Sequence, residues 1–156
     1  MKRILSVGVI AVLALVLVPG AASAKTLRTK LKGQPFGPYE LAPRFSANAS
    51  LKTGRNAKLT VSVKKHIKGE YKIQLRKARA RKQPCKTRSG KSGKGAVKRG
   101  LHGWHYQPLI VDNSGKGKAT GTARRFRASR RAVYYVVILR RNTPTMCGVI
   151  AGHPRK

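Results

Sequence analysis

Acidic residues are nearly missing from this chain. Against 36 lysines and arginines stand 3 carboxylates in 156 residues, namely Glu40, Glu70 and Asp112. None lies between Tyr71 and Val111, and no two are close in sequence, so a paired-carboxylate acid–base centre has no support. The mature part of the chain has no run of apolar residues at helical i, i+3, i+4 spacing, which argues against a helical fold. Aromatics that could stack bases are few (Trp104, Tyr106 and the Tyr134/Tyr135 pair), so base-by-base reading of nucleic acid is not indicated. The Gly-Lys-Ser at 90–92 lacks the upstream glycine of a phosphate-cradling loop, because that position is Cys85, and phosphoryl transfer is excluded. Ligands for metals are sparse too. The pair His102 and His105 is the one metal candidate, and two histidines without carboxylate help make a thin site. Its simpler reading is loop packing around Trp104.

The front of the chain is a different matter. Lys2 and Arg3 precede the apolar stretch Ile4 to Val18, Pro19-Gly20 breaks it, and Ala22-Ser23-Ala24 has the A-x-A form of a cleavage site. Residues 1–24 are predicted to be a signal peptide, too short in its apolar part for the roughly 20 residues of a membrane span. The product would be extracytoplasmic, at the cell surface or released. Losing Lys2 and Arg3 leaves 34 basic residues against the same 3 acids, a net charge of +31. Two cysteines in an oxidising compartment suggest one disulfide, Cys85 to Cys147, worth about 4 kcal/mol in the chain-entropy model. Two separate thiols are the alternative, which mass before and after reduction distinguishes.

Residues 25–44 show no sustained period and carry Gly33, Pro35, Gly37, Pro38 and Pro43; they are expected to form a flexible lead-in to a domain spanning 45–156. From Phe45 onward alternation sets in. Phe45, Ala47, Ala49 and Leu51 alternate with polar residues, then Leu59, Val61 and Val63, then Tyr71, Ile73 and Leu75, each set bounded by turn residues. A short strand follows at Leu109–Val111. The stretch 113–150 reads as three more strands: alternation through Lys118–Ala123, the continuous apolar run Ala132–Leu139, and Met146–Ile150. The continuous run is the candidate for the most buried strand. The predicted fold is all-β, a Greek-key antiparallel β-sandwich or flattened barrel with one long basic loop and one disulfide.

That loop, Arg76 to Arg99, contains 11 lysines or arginines and no acid. Such a segment cannot bury itself and is expected to be mobile. Its cations Arg76, Lys77, Arg79, Arg81, Lys82, Lys86, Arg88, Lys91, Lys94, Lys98 and Arg99 are the candidate polyanion-binding residues, helped by exposed strand residues such as Lys58, Lys64, Lys72 and Lys118. The partners would be anionic polymers of the cell envelope, acidic polysaccharide or nucleic acid, with affinity falling steeply in salt. No cofactor is expected on this reading.

The order of motifs resembles the secreted copper/zinc superoxide dismutase-like β-sandwich family over roughly residues 45 to 151. The resemblance rests on Gly69-Glu-Tyr-Lys-Ile-Gln-Leu-Arg76, Cys85, His105-Tyr-Gln-Pro108, Val111-Asp-Asn-Ser-Gly-Lys-Gly-Lys-Ala119, Arg131-Ala-Val-Tyr-Tyr135 and Cys147-Gly-Val-Ile150. It implies the sandwich fold and the Cys85–Cys147 bridge. It also locates departures: Gln74 and Arg76 stand at the copper-binding His-x-His, no histidine lies near Tyr135 and Val136, and Pro144 replaces the arginine that guides superoxide. Of the ligand set His105 alone survives. A non-catalytic module follows, the alternative being a divergent copper/zinc enzyme with a metal site rebuilt around His102 and His105.

Overall fold

Nine strands account for most of the structure, a computed structural model that describes residues 24–33, 45–85 and 93–155. They are β1 (Thr26–Gly33), β2 (Ser46–Lys52), β3 (Gly54–Lys64), β4 (Gly69–Lys77), β5 (His105–Tyr106), β6 (Leu109–Val111), β7 (Gly117–Phe126), β8 (Tyr134–Arg140) and β9 (Thr143–Ala151). Among the described residues the one helical element is the 3-10 turn Arg79–Arg81. All strand pairings are antiparallel, and the pairing of β3 with β7 closes the ring β1-β2-β3-β7-β6-β4-β8-β9, with β5 added on β7. The path from β3 to β4 passes over β7 and β6, and the path from β7 to β8 passes over β6 and β4. Each is a Greek-key crossing, so the all-β, antiparallel barrel expected from the alternation is the fold observed.

The lead-in assigned to residues 25–44 needs correction. Residues Thr26–Gly33 form β1, paired with β2 from Thr26↔Lys52 to Leu31↔Ala47 and with β9 at Lys32↔Cys147 and Gly33↔Met146. The strand therefore joins the two halves of the barrel, and β1 belongs to it. Its period-2 signal was present, Leu27 and Leu31 against Arg28, Lys30 and Lys32, but was obscured by the prolines and glycines after it. The rest of the assigned lead-in, 34–44, and residues 1–23 of the expected signal peptide lie outside the described residues.

The inward residues of each strand make one core: Leu31, Leu51, Leu59, Val61, Tyr71, Ile73, Leu75, Leu109, Val136, Ile138 and Met146 among them. β8 is buried on both faces along nearly its whole length. Tyr134, Val136 and Ile138 face the main core, while Val133, Tyr135, Val137 and Leu139 join Ala78 and Cys147 in a second apolar cluster outside the barrel wall. What covers that outer cluster is the basic segment following β4.

The cover is held by specific bonds. The Ala78 amide donates to the Val133 carbonyl at 2.8 Å, and the Arg79 amide to Gly95 at 2.9 Å. The Tyr135 hydroxyl accepts from the Val97 amide (2.7 Å) and donates to the Val97 carbonyl (3.2 Å), taking the place of a paired strand. The Cys85–Cys147 disulfide, with Cα atoms 5.6 Å apart, fastens the segment to β9. The mobile loop expected over 76–99 is thus replaced, across 77–85 and 93–99, by a packed flap; residues 86–92 lie outside the described residues.

A second tyrosine closes the barrel wall. β6 is three residues long and pairs with β4 only at Gly69–Tyr71, so Leu75 farther along β4 has no strand beside it on that edge. The Tyr106 hydroxyl fills the place, accepting from the Leu75 amide (3.0 Å) and donating to the Leu75 carbonyl (3.2 Å), and the Leu101 amide donates to the same carbonyl at 2.8 Å. The Tyr106 ring lies where a side chain on its partner Gly121 would be, with a Cβ there coming within 2.6 Å of it. Gly121 is required by that close approach.

Replacing both cysteines with alanine removes the covalent end of the flap. We expect the unfolding free energy in urea to fall by about 4 kcal/mol, with proteolysis within 78–99 becoming faster than cleavage elsewhere; unchanged stability would show that the noncovalent bonds suffice.

Candidate polyanion-binding face

The alternation that buries one side of β1, β2, β3 and β7 sends the other side to solvent. On β1 the outward residues are Arg28, Lys30 and Lys32; on β2, Ser46, Asn48, Ser50 and Lys52; on β3, Lys58, Thr60, Ser62 and Lys64; on β7, Lys118, Thr120 and Thr122. Register sets them in rows across the sheet. One row is Lys30, Asn48, Ser62 and Lys118, and the next is Arg28, Ser50, Thr60 and Thr120. In the first row an amide and a hydroxyl lie between two cations; in the second, hydroxyls follow Arg28. A shallow depression of ≈ 640 Å³ runs along Arg28, Lys30, Asn48, Ser50, Thr60 and Ser62.

The electrostatics of this face are one-sided. None of the four strands contains a carboxylate. Lys52 lies directly opposite Lys58. Like charges in opposed positions destabilise a sheet. Alternate residues on a strand are about 7 Å apart, where two unit charges repel by about 0.6 kcal/mol in water. That spacing is inside the screening length of about 8 Å at physiological salt, so the fields of neighbouring cations overlap.

The flap adds a second set. Lys77, Arg79, Lys82, Lys94, Lys98 and Arg99 are exposed and Arg81 is half-buried. Lys86, Arg88 and Lys91 lie outside the described residues. Arg76 is a correction: it is 4 % exposed, and its guanidinium donates to the Gln74 side-chain oxygen from Nε (2.9 Å) and Nη2 (2.6 Å) and to the Val97 carbonyl from Nη1 (2.6 Å). It is a bracket between β4 and the flap and is not available to a polymer. Sequence reasoning missed Arg28, Lys30 and Lys32 because β1 itself was taken for a lead-in.

The histidines do not converge. His102 and His105 are exposed, β5 placing His105 beside Thr122, and among the described residues no group of three or more His, Cys, Asp or Glu comes together to hold a metal. Gln74 and Arg76 are bonded to each other, and an amide with a cation is no ligand pair for copper. Trp104 stacks on Tyr106 (6.0 Å between centroids) and meets Phe126 edge-on (5.6 Å), so these rings serve packing. Asp112, exposed, accepts from the Ser114 hydroxyl and the Ser114 and Lys116 amides, which hold its carboxyl below the usual range and fix the turn before β7. Burial pushes the Tyr106 phenol up to about 12.

His66 is a buried titratable group, 5 % exposed, its ring 4.7 Å from Tyr71 and 5.2 Å from Phe45 and its Nε2 without a partner among the described residues. Desolvation, with a further contribution from Arg140, lowers its pKa.

No family model, curated protein or solved structure matches this chain.

Two outcomes follow from these placements. Since His66 takes up its proton at lower pH in the folded protein than in the unfolded chain, which is protonated below about 6.5, stability should be full above that pH and fall as pH drops beneath it; His66→Phe should flatten this part of the Tm-against-pH curve. Arg76→Ala should cost about 1–3 kcal/mol by stranding buried acceptors while leaving the salt dependence of polymer binding unchanged, measured by urea unfolding and by binding titrations at several salt concentrations.

Proposed function

We propose that this chain is an exported binding module for anionic polymers, using the outer face of β1, β2, β3 and β7 together with the exposed cations of the flap. One observation carries the reading: on that face Lys52 stands directly opposite Lys58, and Lys30 shares a row with Lys118 across Asn48 and Ser62, with no carboxylate on the four strands. A fold that merely needed solubility could intersperse the two signs of charge. This arrangement costs stability until an anion neutralises it, and the flat array of donors suits a linear polymer carrying phosphate, sulfate or carboxylate groups. Binding would release counterions and weaken as salt rises. The export leader read in residues 1–24 and the Cys85–Cys147 bridge support a place outside the cytoplasm. The resemblance to the copper/zinc superoxide dismutase-like family belongs to the same proposal, as a framework carried without the copper ligands.

The test is titration with polyphosphate and with a sulfated polysaccharide between 50 and 300 mM salt. Binding should weaken by orders of magnitude across that range, as expected when several ion contacts form together. The triple variant Lys30→Gln, Lys58→Gln, Lys118→Gln should reduce the slope of log affinity against log salt by two to three, unlike Arg76→Ala. An unchanged slope in the triple variant would remove the sheet face from the proposal.

A further inference from the structure

At one end of the barrel lies a cleft of ≈ 820 Å³ unlike the polar face, at the size usual for a small-molecule site. Its floor is aliphatic. Leu27, Ala128 and Ala151 are half-buried there and pack against the main core, beside the buried Ile150 and the half-buried Val149. Its rim carries the cations Lys25, Arg127 and Arg130 beside His153, and among the described residues no carboxylate lines it.

The rim is built, because both segments that carry it are tied down. Thr53, 9 % exposed, holds the backbone of Lys25 through its amide (2.9 Å) and hydroxyl (3.1 Å) donating to the Lys25 carbonyl. In the turn between β7 and β8 the Ala132 amide donates to the Ser129 carbonyl (3.2 Å) and the Arg131 amide to the Ser129 hydroxyl (3.2 Å). Arg127 and Arg130 flank that fixed serine.

We propose that the cleft binds one molecule of a single-chain amphiphile with a phosphate head, the alkyl chain on the aliphatic floor and the phosphate on Arg127 and Arg130. Charge complementarity selects the head: the charges on the rim are those of Lys25, Arg127 and Arg130, and the planar guanidinium matches phosphate oxygens two at a time. The floor selects the chain, since a bare anion leaves the half-buried aliphatic groups in water and a neutral chain leaves the arginines unmatched. The site is independent of polymer binding on the sheet face.

The experiment is calorimetric titration of the full chain at 150 mM salt with octyl, decyl and dodecyl phosphate below their micelle thresholds, beside inorganic phosphate and dodecyl maltoside. One molecule should bind per chain, tightening about fourfold per methylene, with inorganic phosphate at least a hundredfold weaker than dodecyl phosphate and the maltoside at least tenfold weaker. Arg127→Ser with Arg130→Ser should weaken dodecyl phosphate at least tenfold while keeping the chain-length dependence. Ala128→Trp should fill the cleft and abolish binding; should it fail to fold by its melting curve, Val149→Gln serves instead and should weaken the longer chains most. The triple lysine variant of the sheet face should bind as the parent does. Several molecules per chain, no dependence on chain length, or equal weakening by the face and rim variants would overturn the proposal.

Discussion

Everything in this molecule leans on a strand that is buried twice. β8 has apolar or aromatic side chains on both faces, and a strand of that kind is stable only if something covers each side. The barrel interior covers one. The other requires an additional layer, and the chain supplies it from its most charged stretch by burying Ala78 and Val97 under a surface of lysines and arginines. The disulfide to Cys147, the Tyr135 hydroxyl on Val97 and the Arg76 guanidinium on Gln74 and Val97 all serve that one contact. Cationic residues here do two unlike things, and burial separates them: Arg76 spends its donors on neutral acceptors inside, while its sequence neighbour Lys77 faces water.

Closure by hydroxyl is the second recurring device. A tyrosine hydroxyl both donates and accepts, so one ring can satisfy the amide and the carbonyl of a single backbone residue. Tyr106 does this for Leu75 where β6 is too short, and Tyr135 does it for Val97 where the flap has no strand to join. Both spare the fold a buried, unpaired backbone group, which would cost about as much as a lost hydrogen bond. With a net charge of +33 across the full sequence, mutual repulsion acts against the compact state at every salt concentration, and such local satisfaction matters more than it would in a balanced chain.

The strands were legible where one face is wet. Leu59, Val61 and Val63 alternate cleanly with polar partners, and β3 follows them; the unbroken run from Ala132 announces a strand with no wet face, and β8 is that strand. β1 was lost because two leucines between lysines give a weak alternation and the prolines beyond them a strong irregular signal. The flap was misread for a related reason: composition averages over a segment, and its few apolar residues, Ala78, Cys85 and Val97, are too far apart in sequence to show that they meet on one surface.

The candidate face shows the same division. That the chain is cationic is a matter of counting side chains, and the all-β class is nearly as local, because alternation is a consequence of the two-residue repeat of a strand. Which cations stand together is not local. Lys30, Lys58 and Lys118 belong to three strands widely separated in sequence, and their common face depends on the closure of β3 onto β7 and of β1 onto β2. Register across strands is chosen by packing of the inward residues, so it was tertiary structure that put Lys52 against Lys58, drew Arg76 out of the charged surface and turned a basic loop into a wall of the fold.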